Sequence, residues 1–388
     1  MLPALKKRIF WPLHLVLSYG FIVLAVFRLD RMAFIRLAGM YLPPFFIYLF
    51  GFIFLFDLVS LSFFLYGKIT RRKTNKKNRL PVKIMPAGVG IALVLTLLLL
   101  VYGSFHAQDI RTVYYTLPFY GTAAGPGRQG NPLGISEKEN LRIVLVSDLH
   151  IGQTVGKKWT GRIIDSINHA EPDLVCMAGD IFDSGLDGVK DSHGIAAEFM
   201  RIKAPLGVYA CPGNHDTNRR TRSIDEIGLF LSMAGIKLLA DETVPLQMPA
   251  GMPGIYIAGR RDARPIGMQG ERLSMEELVA SMQTNGITPR PLLILLDHQP
   301  LELQEAAWAE IDLALCGHTH RGQFFPGSLF TRSIFKKAGG THYGLWQQGN
   351  TRAIVSSGAG VWGPPIRIGT NSEVVVLTLQ FRDDAAVY

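Results

Sequence analysis

From residue 141 onward the chain alternates short apolar runs with clusters of Asp, His and Asn. Five runs such as LRIVLV and LLILL lead directly into SDLH, GDIFD, PGNHD, DHQP and GHTH. Apolar runs of this length between turn-forming residues predict buried strands. Polar side chains at the carboxyl ends of such strands meet at one edge of a sheet. The pattern therefore restricts this region to an α/β domain whose polar clusters converge on one site.

These clusters contain side chains suited to binding metal ions. They are Asp148, His150, Asp180, Asp183, Asn214, His215, Asp216, His298, His318 and His320. Carboxylate and imidazole ligands without cysteine suit Mn²⁺, Fe or Zn²⁺ better than a thiolate site would. One residue separates Asp148 from His150 and His318 from His320, so in an extended strand end each pair would point the same way. One cluster alone is a weak signal, but five in this order are not expected by chance.

The ordered motifs D-x-H, G-D, G-N-H-D, a later His and G-H-x-H resemble those of the calcineurin-like metallophosphoesterase superfamily. The resemblance covers residues 141 to about 380. The segment SSGAGVWGPPIRIG at 356–369 is similar to a subgroup of predicted phosphohydrolases with N-terminal membrane segments or export signals. The resemblance implies a β-sandwich of mixed sheets flanked by helices, with a dinuclear metal site at the strand ends.

The resemblance also implies how the motif residues would share two divalent metal ions. The first ion would be bound by Asp148, His150 and His320, and the second by Asn214, His298 and His318. Asp180 would bridge both ions, because two close dications repel unless an anion lies between them. A bridging hydroxide would then attack the phosphoester.

His215 resembles the general acid of the family rather than a metal ligand. Imidazole suits proton delivery to a leaving oxygen because it ionises near neutral pH. Asp183, in GDIFD, matches the carboxylate that orients this histidine, and Asp216 is the rival because it is adjacent in sequence.

Two departures from the family pattern concern phosphate recognition. Ser184 stands where protein phosphatases of the superfamily have an arginine, so protein phosphatase activity is disfavoured. Arg321 replaces a small residue common in the related subgroup. Arg219, Arg220 and Arg321 are candidates to hold phosphate only because they lie near motifs, and solvated surface positions are the alternative.

Residues 1–105 have the composition of a membrane region. Three apolar stretches, approximately Ile9–Phe27, Leu42–Tyr66 and Ile84–Phe105, reach the length of about 20 residues that a transmembrane helix needs. The second and third are apolar all round, unlike amphipathic helices of a soluble domain. Residues 106–140, rich in Gly, Pro, Tyr and Thr, predict a partly ordered linker before the catalytic domain at 141–388.

The positive charge of the chain belongs to this membrane region. Residues 1–140 carry 17 Lys and Arg against 5 Asp and Glu, which leaves a net −3 of the total +9 for residues 141–388. Nucleic acid is therefore not an expected partner, whereas membrane lipids are. Eight basic residues at 68–83 place that loop in the cytoplasm, and three spans then carry the catalytic domain to the extracytoplasmic side. Arg28, Arg31 and Arg36 oppose this orientation.

Three cysteines do not make a disulfide framework. Cys176, Cys211 and Cys316 each lie in or beside an apolar run, which favours small buried side chains. A bond between Cys176 and Cys211 on neighbouring strands is the alternative.

Three classes of function fit these features. The leading hypothesis is hydrolysis of a phosphomonoester, phosphodiester or pyrophosphate, in a lipid or glycolipid head group or in a soluble compound such as a nucleotide. The second is a catalytically silent membrane sensor or scaffold that keeps the fold. The third is a transporter or channel with Asp57 as its polar site. Metal-dependent turnover separates the first class from the others.

Overall fold

The structure is a computed structural model that separates into two units, Met1–Gly103 and Ser104–Tyr388. It describes residues 33–71, 84–120, 140–186, 188–217, 223–248, 254–263, 272–282 and 290–382.

Among the described residues, two long apolar helices begin in the first unit, α1 (Ala33–Arg71) and α2 (Ile84–His106). Within them, Leu37–Gly67 and Gly88–His106 are long and apolar enough to cross a membrane. The second and third predicted spans thus fall on helices, and Asp57 lies within α1. The predicted span Ile9–Phe27 and most of the basic loop lie outside the described residues.

The described residues of the second unit form two six-stranded sheets. The first has the strand order β1-β12-β2-β3-β4-β5 and is formed by β1 (Ile110–Tyr120), β2 (Asn140–Val146), β3 (Leu174–Ala178), β4 (Val208–Cys211), β5 (Ile236–Leu238) and β12 (Ser372–Arg382). The second has the order β10-β11-β9-β8-β7-β6 and is formed by β6 (Glu242–Pro245), β7 (Ile255–Gly259), β8 (Leu292–Leu296), β9 (Leu313–Cys316), β10 (Gly344–Gln348) and β11 (Thr351–Val355). All five strands predicted to precede a polar cluster are present, as β2, β3, β4, β8 and β9.

Helices cover the outer faces of both sheets. They are α3 (Lys157–His169), α4 (Ser192–Phe199), α5 (Asp225–Met233), α6 (Met275–Ala280) and α7 (Leu303–Trp308). A further helix, α8 (Gly327–Lys337), packs against the segment His320–Gly322. Buried residues of α3, α4 and α5 pack on the first sheet, and those of α6 and α7 pack on the second. The predicted sandwich of mixed sheets flanked by helices is confirmed.

The apolar core between the two sheets holds the sandwich together. Ile143 of β2 and Ile294 of β8 belong to one continuous cluster of buried side chains from both inner faces. Each such side chain contributes about 1.5–3 kcal/mol by leaving water. Cys176, Cys211 and Cys316 are buried and free, so the expectation of small core residues is confirmed and the alternative disulfide is not formed.

The linker prediction for residues 106–140 is wrong for β1. This strand pairs in parallel with β12 along its whole length, and Leu117 and Phe119 are buried in the core between the sheets. Its Tyr, Thr and Val residues favour extended backbone. Pro118 is tolerated because β1 is an edge strand, where a missing amide donor costs no ladder bond on the outer side.

Candidate active site

The polar segments after β2, β3 and β8 are held in place by main-chain hydrogen bonds beyond the strands. The Asp148 amide donates to the Gly179 carbonyl and the His150 amide to the Asp180 carbonyl, both at 3.0 Å. In the second sheet the Gly317 amide donates to the His298 carbonyl at 3.0 Å. The carboxyl ends of both sheets therefore present their side chains from a fixed backbone.

Five of the seven candidate metal ligands have left-handed backbone conformations. Their φ angles are 52° for Asp148, 48° for His150, 51° for Asp180, 72° for His318 and 46° for His320. Such angles are uncommon for non-glycine residues and cost of the order of 1–3 kcal/mol each, and they cluster at functional sites. The sequence argument from an extended strand end was therefore wrong about the backbone. The two members of each motif are brought to the site by a tight left-handed bend.

Asp148, His150 and His320 form the first compact group of candidate ligands. The Nε2 atoms of His150 and His320 lie 3.0 Å apart, and His320 Nε2 lies 3.5 Å from Asp148 Oδ1. Two ligand atoms that are each about 2.1 Å from one cation are separated by about 3.0–3.4 Å at ordinary coordination angles. These spacings therefore suit a cation among the three side chains.

Asp180, His298 and His318 form the second group. His298 Nε2 lies 3.1 Å from Asp180 Oδ2 and 3.2 Å from His318 Nδ1. Asp180 Oδ2 is also 3.6 Å from His150 Nε2, so Asp180 joins both groups. Its other oxygen, Oδ1, accepts a hydrogen bond from the His215 amide at 2.8 Å. One carboxylate oxygen is thus anchored while the other lies between the two groups.

The tautomer of His298 leaves a lone pair directed into the second group. His298 Nδ1–H donates to the Ala178 carbonyl at 2.8 Å, so Nε2 is the unprotonated nitrogen of the neutral ring. The lone pair of His298 Nε2 then faces Asp180 Oδ2 at 3.1 Å. Two hydrogen-bond acceptors this close repel each other unless a proton or a cation lies between them. Burial by itself lowers the pKa of His298. The negative charges of Asp180 and Asp148 have a larger, opposite effect, so the pKa of His298 lies well above its ordinary value. The site thus attracts positive charge.

Two of the seven buried side-chain polar atoms that have no hydrogen-bond partner among the described residues belong to the candidate ligand set, His150 Nδ1 and Asn214 Oδ1. His150 Nδ1 lies 3.6 Å from the Asp183 carboxylate, so Asn214 Oδ1 is the atom of this set that points to a further partner. Orphaned buried polar atoms are rare and suggest an additional partner such as an ion or water. An amide oxygen is a suitable ligand for a hard divalent ion. The residues present therefore fit divalent metal ions.

His215 is oriented by Asp183, and Asp216 has another role. His215 Nδ1–H donates to the Asp183 carbonyl oxygen at 2.9 Å, and the Asp183 carboxylate lies 3.9 Å from the same nitrogen. The Asp216 carboxylate instead accepts from the amides of Phe182 and Gly213, both at 2.8 Å. Burial and the nearby Asp180 raise the pKa of Asp216 to about 7. The geometry favours Asp183 over Asp216 as the partner of His215.

The predicted phosphate-holding residues are only partly described. The Arg321 guanidinium lies 4.2 Å from the ring centroid of Tyr343, a cation–π contact beside the His320 motif. Arg219 and Arg220 lie outside the described residues. The Ser184 hydroxyl donates to the carbonyl of Asp183 at 2.6 Å. Arg321 thus remains a candidate for contacting substrate.

Arg367 is a residue beside the site that sequence reasoning missed. It is fully buried, and it donates to the carbonyls of His320 at 3.2 Å, Ser357 at 2.6 Å and Gly360 at 2.8 Å. Burial lowers its pKa to about 10, so it remains a cation at neutral pH. Arg367 ties the glycine-rich segment to the loop that carries His320. The single arginine in VWGPPIRIG was the available signal.

The glycines that precede the clusters allow the ligands to approach one another closely. A Cβ atom on Gly213 would lie 2.2 Å from Asp180 Oδ1, and one on Gly179 would lie 2.6 Å from His298 Nδ1. Gly179 also has a φ of 75°, which glycine adopts without strain. Gly179 of G-D and Gly213 of G-N-H-D are therefore needed because a larger side chain would clash with the ligands, and Gly179 is needed also for its backbone conformation.

Comparison with known proteins identifies relatives of this domain. The family described as calcineurin-like phosphoesterase matches residues 141–322. An uncharacterized metallophosphoesterase of Helicobacter pylori strain J99 is 30% identical over 275 residues, covering 70% of this chain and 69% of that protein. A transmembrane protein with metallophosphoesterase domain from Danio rerio is 31% identical over 299 residues, covering 75% of this chain and 62% of that protein.

The likeness of this chain to solved 5'-nucleotidase structures is low. The 5'-nucleotidase precursor of Thermus thermophilus aligns with a TM-score of 0.38 and 16% identity, covering 62% of this chain and 55% of that chain. This likeness is too distant to indicate a substrate.

Proposed function

The chain belongs to the calcineurin-like metallophosphoesterases, and we propose that its catalytic site hydrolyses a phosphate ester with the help of two divalent metal ions. The observation that carries this proposal is the pair of ligand groups that share Asp180. Asp148, His150 and His320 would hold one ion. Asn214, His298 and His318 would hold the other, and Asp180 would contact both. Mn²⁺, Fe²⁺ and Zn²⁺ all suit this set of oxygen and nitrogen ligands.

The residues around these groups have separate tasks in the reaction. Bound divalent ions lower the pKa of water towards neutrality and neutralise phosphate charge. Asp183 engages Nδ1 of His215, so Nε2 is the nitrogen available to hold a proton for the leaving oxygen. Arg367 keeps the His320 loop in position through its carbonyl contacts. Burial of Asp148, Asp180 and His298 excludes bulk water from the charged centre.

We further propose that the natural substrate is a phosphoester at a membrane, in a lipid or glycolipid head group. The two membrane-spanning candidates in α1 and α2 support this class, as do relatives that are named transmembrane proteins. A soluble phosphoester, such as a nucleotide, is the alternative substrate class. A silent scaffold is the alternative function, and it needs neither the strained ligand backbone nor His215.

Reconstituted protein is expected to bind two divalent ions per chain and to hydrolyse a generic phosphodiester only when they are present. Binding to the folded site alone also stabilises the fold, by roughly 2.7 kcal/mol at a metal concentration 100 times the Kd. Elemental analysis, thermal unfolding and release of p-nitrophenol from bis-p-nitrophenyl phosphate measure the three effects. Trace metal after reconstitution with Mn²⁺, Fe²⁺ or Zn²⁺ would contradict the two-ion site. Two bound ions without turnover of any phosphoester would support the scaffold.

We propose that the catalytic domain lies on the extracytoplasmic side, because the basic loop at 68–83 favours the cytoplasm. A reporter fused after Tyr388 is expected to behave as extracytoplasmic, and one inserted in that loop as cytoplasmic. Exchanging the loop's Lys and Arg for Gln is expected to give mixed orientations. A cytoplasmic signal from the fusion at Tyr388 would refute the three-span topology and shift the substrates to cytoplasmic compounds.

A further inference from the structure

Among the described surface elements near the site, helix α8 has the greatest concentration of exposed apolar side chains. Leu329, Phe330 and Ile334 are exposed, and Phe330 has 65% of its surface in solvent. Phe325 precedes the helix and is also exposed. Exposed apolar groups of this size, clustered on one short helix, mark interaction surfaces. We call Phe325, Leu329, Phe330, Ile334 and the exposed Trp362 the apolar rim.

The apolar rim lies beside the candidate ligands. Phe335, the buried side chain of α8, has its ring 6.3 Å from the ring of His318. The ring of Trp362 lies 6.1 Å from that of His215. Gln323, two residues before Phe325, holds Trp362 near this part of the chain, because it accepts from the Trp362 amide at 2.8 Å and donates to the Trp362 carbonyl at 2.9 Å. Whatever covers the rim therefore lies close to the catalytic residues.

The charge of α8 indicates what covers it. The helix GSLFTRSIFKK contains three basic residues, Arg332, Lys336 and Lys337, all exposed, and no acidic residue. A short helix with exposed aromatic and aliphatic residues and lysines is typical of segments that lie in the interface of anionic membranes. Helix α5 provides a contrast. Its exposed Leu229 and Met233 accompany Asp225 and Glu226, with no basic residue.

We propose that the apolar rim docks onto the surface of an anionic lipid bilayer, with Phe330 and Ile334 among the acyl chains and the α8 lysines at the lipid phosphates. A phosphoester in a lipid head group would then meet the catalytic residues without leaving the membrane. This second consequence rests on the proposed function, whereas the docking itself does not. Each lysine at such a surface contributes roughly fivefold to the docking equilibrium.

The experiment uses the full chain, reconstituted in vesicles of phosphatidylcholine with phosphatidylglycerol and carrying a fluorophore on one introduced cysteine. The native cysteines are buried, so the label goes to Phe330→Cys on α8 or to the control Leu229→Cys on α5, where the replaced side chains are 65% and 66% exposed. Nitroxide-labelled lipids are expected to quench the label at 330 at least about twofold more strongly than the label at 229. Lys336→Gln with Lys337→Gln, or phosphatidylcholine alone, is expected to reduce this quenching.

Equal lipid quenching at the two labels would overturn the proposal. A label at 330 that soluble iodide reaches and nitroxide lipids do not would also overturn it, because α8 would then face water. Shielding from both quenchers would assign the rim to a protein partner or a second copy. The readout needs no substrate, so docking is tested separately from hydrolysis. Phe330→Ser tests the lipid-substrate consequence separately. If it lowers turnover of lipid-linked and soluble phosphoesters equally, that consequence is rejected, while docking is still decided by the quenching experiment.

Discussion

Asp180→Asn is expected to empty the metal site and to reduce turnover of every phosphoester to background. The change keeps the shape of the side chain and the acceptor for the His215 amide, but it removes the negative charge shared by the two ligand groups. An amide NH₂ placed at the Oδ2 position would donate to the lone pair of His298 Nε2 and so compete with a cation. Elemental analysis and phosphodiester turnover on the same sample measure both losses.

Asp312→Asn is the matched control for this loss. Asp312 is also a buried carboxylate, and it pairs with Arg290 and accepts from the Leu293 amide, at the opposite end of β9 from His318. Burial raises its pKa to about 6. We expect Asp312→Asn to lower stability but to retain two ions and turnover. Retention of both ions in Asp180→Asn would contradict the bridging role.

The strands, and the grouping of candidate ligands at their carboxyl ends, were predictable because each strand carries its own local signal. The run LLILL in front of His298 is apolar, short and bounded by turn residues, which favours a buried strand whatever surrounds it. The meeting of the polar clusters could be predicted because each cluster follows a strand, and parallel strands place their carboxyl ends at one edge of a sheet. The packing of one sheet against the other could not be predicted from local sequence, because the contacts between β3 and β8 join residues more than 100 positions apart.

The backbone of the site and the position of β1 were not predictable from local pattern. A left-handed φ at Asp148 or His320 is unfavourable for an isolated peptide and exists only because the surrounding hydrogen bonds impose it. The β1 segment lies next to a Gly- and Pro-rich sequence, and its pairing partner β12 is more than 250 residues away. The role of Arg367 was hidden because its partners are backbone carbonyls, which no side-chain motif reveals.

His215→Ala is expected to retain both metal ions and to lose roughly 10²–10⁴-fold in turnover of substrates with poor leaving groups. His215 lies beside the ligand groups, with its ring 4.9 Å from that of His150, yet its Nδ1–H is engaged by the Asp183 carbonyl. The nitrogen that remains, Nε2, is then the one that holds a proton for the leaving oxygen. Removing the ring removes the acid while Asp180 keeps its acceptor contact with the main-chain amide at this position.

The dependence on the leaving group separates this acid role from a metal-ligand role. A p-nitrophenolate leaves without protonation, so His215→Ala is expected to cost much less for p-nitrophenyl esters than for alkyl phosphoesters. His169→Ala, at the exposed end of α3, is the control and is expected to change neither metal content nor rate. Loss of metal from His215→Ala, with equal rate loss for both leaving groups, would make His215 a ligand. Equal rate loss with both ions retained would instead assign it to substrate positioning, because only proton delivery is sensitive to the basicity of the departing oxygen.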